Sequence, residues 1–167
     1  MSTAVGTRDV QKAAVYEAEQ LVRRLMDRSA QFPTLQVAGS TITLPAEKKF
    51  GSVESVQTYV DAVLALNWVR TTWPRAARPV RVRERAGDTK AHYHRGVIAV
   101  PAHTIGSNWA LRELVVLHEL AHHLDTDAQP HGPSFVGIFL QLVTEIIGPE
   151  AGLLLRITLH EQGATIG

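Results

Sequence analysis

Up to Leu124 the chain reads as a largely apolar helix that carries His118, Glu119 and His122 near its middle. Leu111, Leu114, Val115, Leu117, Leu120, Ala121 and Leu124 leave this helix little polar surface to present to water, so it belongs in the core. Burying two imidazoles and a carboxylate there is costly unless each is paired or bound to a metal ion. The rest of the fold must therefore cover this helix and also provide for three ionisable groups inside it.

His118 and His122 are four residues apart, about 40° around the helix axis and about 6 Å along it, so both can reach one ion. Glu119 sits one step round, where it does not easily ligate that ion but can reach a water on it. Zinc lowers the pKa of such a water toward about 7, and a neighbouring carboxylate can then take the proton. The 167 residues include no cysteine. That excludes disulfide frameworks, thiolate-bound zinc and thiol catalysis, and leaves nitrogen and oxygen ligands.

A catalytic zinc site usually has three protein ligands and one open position. The candidates for the third are His131, Asp125, Asp127 and Glu145. His131 is favoured, because Pro130, Gly132 and Pro133 fix the course of the chain around it just before the next helix. Asp125 points to a similar side as His122 and can either ligate or hydrogen-bond a histidine. Asp127 reads as a solvated loop charge, and Glu145 as a ligand or an exposed carboxylate on the following helix. The expectation is one catalytic Zn²⁺ on His118, His122 and His131, with Glu119 as the base.

The remaining pattern predicts a single α+β domain over residues 1–167. Val10, Ala14, Leu21 and Leu25 recur at helical spacing between about Arg8 and Ser29. Leu35 to Val37 and Thr41 to Leu44 alternate around Gly39-Ser40 as a hairpin. Ser52 is an N-cap for a long helix reaching Thr72, stopped before Pro74. Pro79 to Arg85 alternates as a half-exposed strand, Gly87-Asp88 turns, and Ala91 to Val100 returns as a second strand. Ser107 or Asn108 caps the motif helix; helices over Ser134 to Ile147 and Glu150 to about His160 follow, broken by Gly148-Pro149.

The run His118-Glu119-Leu120-Ala121-His122, a short loop, then His131-Gly132-x-x-Phe135 resembles the SprT-like and WLM-type minimal zinc metallopeptidases of the zincin class. It is similar, more closely, to an actinobacterial and phage family of metallohydrolases of comparable length. The resemblance covers roughly Gly96 to Phe135. It implies a zincin-like domain in which a small, mostly antiparallel sheet packs against the motif helix. It also implies zinc on His118, His122 and His131, Glu119 as general base, and hydrolysis of a protein or peptide substrate. A further implication is that the strand from Gly96 to Val100 lines the cleft and pairs with an extended substrate. The sequence has no cysteine zinc ribbon like that of the longer SprT-like proteins, so the resemblance does not carry over their DNA-directed recruitment.

Other polar residues invite weighing. His123 reads as a surface group or a support to the ligands. His92 and His94 form a His-x-His pair on a strand and read as partly exposed structure. Tyr93, His94, Arg95 and His103 lie near the expected cleft, where one can donate to a developing oxyanion. Trp68, Trp73 and Trp109 read as packing. A basic run containing Arg81, Arg83 and Arg85 can contact phosphates, which gives the alternative of a zinc-containing nucleic-acid or protein binding module. Its alternation equally suits the charged face of an edge strand. No apolar leader or membrane-length apolar run is visible, so the expected compartment is the cytoplasm. The oligomeric state leaves no mark in the sequence.

Overall fold

The computed structural model describes residues 8–86, 90–101 and 111–167. The Gly87-Asp88 turn, the Ser107 and Asn108 caps, His103 and Trp109 lie outside them. Among the described residues the protein is α+β, with six α-helices and two small sheets. No helix among them is long and apolar enough to cross a membrane.

Helix α1 (Lys12–Asp27) buries Val15, Ala18, Val22 and Met26, a stripe at helical spacing that packs against the last helix. Val10 precedes the helix and is 67% exposed, so the apolar stripe is set one residue off the predicted one. Strands β1 (Thr34–Val37) and β2 (Ser40–Thr43) form the predicted hairpin. Its turn centres on Ala38 and Gly39, both at positive φ, the backbone that a two-residue hairpin turn requires.

Ser52 caps α2 (Val53–Ala65) as expected. Its hydroxyl accepts from the Ser55 N–H while the Ser55 hydroxyl accepts from the Ser52 N–H. The predicted single helix to Thr72 is instead two. Leu66 adopts an extended backbone, and α3 (Asn67–Thr72) starts anew before a 3₁₀ turn at Pro74–Ala77. The Trp68 and Trp73 rings meet edge to face at 5.8 Å and are partly exposed.

The second sheet has the order β3-β5-β4. Strand β3 (Arg81–Glu84) runs parallel to β5 (Val97–Val100), and β4 (His92–His94) runs antiparallel to it. The single strand predicted from Ala91 to Val100 is thus a second hairpin. Arg95 at φ 46° and Gly96 at φ 80° fold it back. The sheet is mixed rather than mostly antiparallel, because the chain leaves β3 and returns through β4 before adding β5 between them. Val80 and Val82 point inward while Arg81 and Arg83 are exposed. The outer edge of β3 is closed by Gln57 of α2, whose side-chain amide donates to the Val80 carbonyl and accepts from the Val82 N–H.

Helix α4 (Glu113–Leu124) carries the motif and is buried almost throughout. It starts later than a cap at Ser107 or Asn108 predicts, because Arg112 is extended and bridges Lys49 in β fashion. The start is pinned electrostatically. Arg112 pairs with Glu47 and Asp27, the Glu47 carboxylate accepts from the Leu114 N–H, and Glu113 accepts from the Tyr59 hydroxyl at 2.6 Å. Helix α5 (Pro133–Leu142) opens with Pro133 in its first turn, widens into a π-helical turn at Val143–Ile147, and ends at Gly148. Helix α6 (Pro149–Glu161) then packs across α1. Phe135, Phe139, Leu142, Leu155 and Leu159 build the core between these helices.

Candidate metal centre

The three histidines meet. Among the described residues His118, His122 and His131 form the one group of metal-ligating side chains whose donor atoms all lie within 4.8 Å of one another. His118 and His131 are buried and His122 is partly so. Helical geometry sets the first pair; the third arrives on the loop that ends at Gly132 and Pro133. Phe135 of α5 stacks on the His122 ring at 4.3 Å and meets the His118 and His131 rings edge-on, so the imidazoles are held by packing.

Two carboxylates orient the rings. His118 Nδ1–H donates to Glu19 at 2.7 Å, and His131 Nδ1–H donates to Asp9 at 2.7 Å. With both Nδ1 atoms donating to carboxylates, the two Nε2 atoms are turned toward each other at 3.4 Å. That space is filled either by a proton on His118 Nε2 donating to His131 or, when both rings are neutral, by a cation that takes both lone pairs. Two nitrogens at about 2.05 Å from a tetrahedral ion stand about 3.3 Å apart, which is the spacing found. The donor set fits a divalent cation that accepts imidazole ligands.

The three rings differ in protonation. Burial, then the charges of His118, His131 and His92, push His122 down to about 2, so it stays neutral and free to ligate. Burial likewise lowers His131 against the pull of Asp9. For His118 burial also opposes the proton, but Glu19 in contact and Glu119 nearby outweigh it and raise the pKa. Glu119 is 5% exposed, and burial pushes its carboxyl up to about 7, opposed by the His118 charge and a hydrogen bond from the Tyr93 backbone.

The other expected residues fall elsewhere. Asp125 is buried but stands outside the cluster; its Oδ1 accepts from the Ser134 hydroxyl at 2.7 Å and the Asp127 N–H at 3.1 Å, tying the loop to α5. Glu145 is exposed on the π-helical turn and Asp127 on the loop, both outside it as well. His123 is neither a surface group nor in contact with a ligand ring: it is 1% exposed and locks the β4 hairpin to α4. Its Nε2 faces the Arg78 carbonyl at 3.0 Å and must donate, so its Nδ1 accepts from the Tyr93 hydroxyl at 2.9 Å. That hydroxyl also accepts from the Gly96 N–H, so Tyr93 is fully engaged and is not an available oxyanion donor. His94 is exposed and stacks on His92.

The expectation that Gly96 to Val100 pairs with an extended substrate is overturned. β5 is the central strand, with β3 on one edge and β4 on the other, so neither edge is open. The strand that borders the cleft is β4, whose His92 and Tyr93 line a cavity of about 510 Å³ with Glu119, His122 and His131.

Sequence reasoning missed three residues of the N-terminal helical region: Asp9, Glu19 and Tyr16. The Tyr16 ring lies 5.3 Å from His118 and 5.4 Å from His131 and lines two cavities, one with His118 and Glu119 and the other with Glu119, His122 and His131. Burial, then Glu119, Glu19 and Asp9, hold its hydroxyl protonated well above the ordinary range. A signal existed in part: Tyr16, Glu19 and Arg23 recur at helical spacing on α1 and imply a polar stripe, though not what it faces.

Comparison of the chain with protein-family models, curated proteins and solved structures returns no match.

Proposed function

We propose that the protein is a zinc-dependent hydrolase, acting on the amide bond of a protein or peptide, as its resemblance to the SprT-like minimal zincins implies. The observation that carries the reading is the pair of carboxylate-oriented histidines whose Nε2 atoms oppose each other beside His122 and next to a buried Glu119. His118, His122 and His131 would hold the ion. Zinc supplies, when bound, a polarised carbonyl and a water acidified toward a pKa of about 7.

The chain's own residues do the rest. Glu119 takes the proton of the attacking water and returns it to the departing amine. Its raised pKa suits both halves of that task near neutral pH. Glu19 and Asp9 keep Nδ1 of their histidines protonated and the rings aimed. Tyr16, protonated and lining both cavities, is the O–H donor for the developing oxyanion.

Metal analysis and product mapping test this together. The purified protein is expected to hold close to one zinc per chain, to lose it on His118→Ala and to keep most of it on Glu119→Gln. Peptides released from a cell lysate by the wild type should be absent with Glu119→Gln. A metal-free protein whose stability zinc does not change overturns the reading.

A further inference from the structure

Three arginines that the proposed chemistry does not use line a hollow of about 320 Å³. They are Arg75, Arg78 and Arg95, and among the described residues no carboxylate lines it. Arg75 and Arg78 stand three residues apart across the 3₁₀ turn at Pro74–Ala77, the spacing at which side chains of such a turn eclipse. The Arg78 carbonyl is held by His123 Nε2 at 3.0 Å. Arg95 comes from the two-residue turn between β4 and β5, where it and Gly96 take φ 46° and 80°. Gly96 pins that turn: its N–H donates to the Tyr93 hydroxyl at 3.0 Å, and its carbonyl accepts from the Arg81 N–H at 2.9 Å.

None of the three guanidiniums is ion-paired with a described carboxylate. Arg75 Nη1 donates to the Asp125 carbonyl at 2.9 Å, a neutral partner that leaves the charge unmatched, and its Nε is buried with no hydrogen-bond partner. Tyr93 and His123 also line the hollow, but their polar atoms are taken up by each other, by Gly96 and by Arg78. Arg75, Tyr93 and Arg95 line in addition the cavity that holds Glu119, His122 and His131. Asp9, Asp125 and Asp127 line that cavity and not the hollow, and none of them is paired with Arg75 or Arg95.

We infer that this hollow is an oxyanion subsite that takes a phosphoryl group borne by a side chain of the peptide substrate, with Arg75, Arg78 and Arg95 as its donors. This rests on the peptidase reading and adds a substrate class to it. A phosphoryl group brings a charge of about −1.5 to −2 and three acceptor oxygens, so it matches three guanidinium forks better than a singly charged carboxylate does. A single hollow of this size suits one phosphoryl group rather than the series of phosphates that a nucleic acid presents. Because Arg75 and Arg95 border both spaces, one peptide can occupy the centre and the hollow together.

The test is binding to full-length Glu119→Gln protein, measured zinc-loaded and again after chelation. The probes are three blocked hexapeptides that differ only in carrying phosphoserine, glutamate or serine. The phosphoserine peptide is expected to bind at least about tenfold tighter than the serine one and about threefold tighter than the glutamate one. Both margins should persist without zinc and shrink as salt rises. Arg78→Gln and Arg95→Asn should each cut the phosphoserine margin over serine to under about threefold, while Arg156→Gln, exposed on α6, should leave it intact. Arg95→Asn gives the turn the Asn-Gly pair that its backbone favours, so a margin lost there is not a fold lost.

Equal binding of the phosphoserine and serine peptides, including none by either, overturns the subsite. So does a margin that vanishes on chelation or survives both arginine variants, which puts the phosphoryl group on the metal instead. A glutamate peptide as tight as the phosphoserine one overturns the phosphoryl assignment. A single-stranded oligonucleotide or inorganic phosphate that binds as tightly as the phosphoserine peptide overturns the assignment to a substrate side chain. The peptides released from lysate separate the two readings. An arginine-dependent margin with no released peptides keeps the phosphoryl site and removes the peptidase reading; released peptides without a margin keep that reading and remove the subsite.

Discussion

A carboxylate that is 5% exposed and keeps its proton up to about pH 7 works against the fold that contains it. Glu119 holds its proton to higher pH in the folded protein than in the unfolded chain, where the value is near 4.5. Folding is therefore penalised as pH rises from about 4.5 through 7, and the whole penalty, about 3 kcal/mol at most, applies above that. In chelator-treated protein Glu119→Gln should raise stability by about 1–3 kcal/mol at pH 8 and change it little at pH 4. Urea unfolding at the two pH values checks this; equal midpoints at pH 8 would show that the carboxylate is not penalised. The same residue illustrates what a sequence discloses. His118, Glu119 and His122 are legible because their chemistry is written within one helical turn. Glu19 and Asp9 are not, because they meet His118 and His131 across 99 and 122 residues. In sequence each is merely a polar residue near the start of the chain, and only the packing of α1 gives it a partner.

Among the elements, those with local punctuation were legible and those decided by packing were not. Ser52 with Ser55, Pro133 in the first turn of α5, and Gly148-Pro149 each mark a boundary by their own backbone chemistry. Leu66 interrupts α2 and α3 with neither glycine nor proline, so no signal could mark it. The hairpin inside Ala91 to Val100 is a subtler case. Gly96 supplies one positive φ, but Arg95 must supply the other, and an arginine does not announce that conformation. What holds the turn is tertiary: the Tyr93 hydroxyl accepts from the Gly96 N–H and donates to His123 on α4. Tyr93→Phe deletes the hydroxyl and leaves both of those polar groups partly buried and unmet. The expected cost is about 1–3 kcal/mol in unfolding free energy. Amide exchange should quicken at Gly96 and along β4, beside Glu119, while the β1–β2 hairpin stays unchanged. Uniform exchange across both hairpins would show that this link does not fix β4.

The molecule as a whole converges on His131, the third ligand of the proposed site. His131 lies on a loop, yet residues distant in sequence fasten it on several sides. Asp9 takes its Nδ1–H, and the Gln11 amide donates to its backbone carbonyl at 3.0 Å. Gln11 is itself fixed by Thr165, whose N–H donates to it at 2.6 Å. Two residues on, the Gly167 N–H donates to the carbonyl of Pro133, where α5 begins. Gly137 makes this last contact possible, since a Cβ there would stand 2.3 Å from the Gly167 oxygen, too close for both to keep their places. Gly137→Ala should therefore push Gly167 off Pro133, loosen the Thr165–Gln11 bridge and free the loop that carries His131. The expected result is a loss of about 1–3 kcal/mol in stability, together with a several-fold weaker hold on zinc. That is smaller than the 10–100-fold expected when the direct partner is removed in Asp9→Asn. Gly152→Ala is the control, because its Cβ would meet Thr144 at 2.1 Å and should cost stability through α6 without touching the His131 loop. Competition against a chelator of known affinity reads the metal, and urea unfolding reads the fold. If Gly137→Ala and Gly152→Ala both destabilise and neither changes zinc affinity, the bracing of His131 through residues 11, 165 and 167 is refuted, and the loop is held by Asp9 and Phe135 alone.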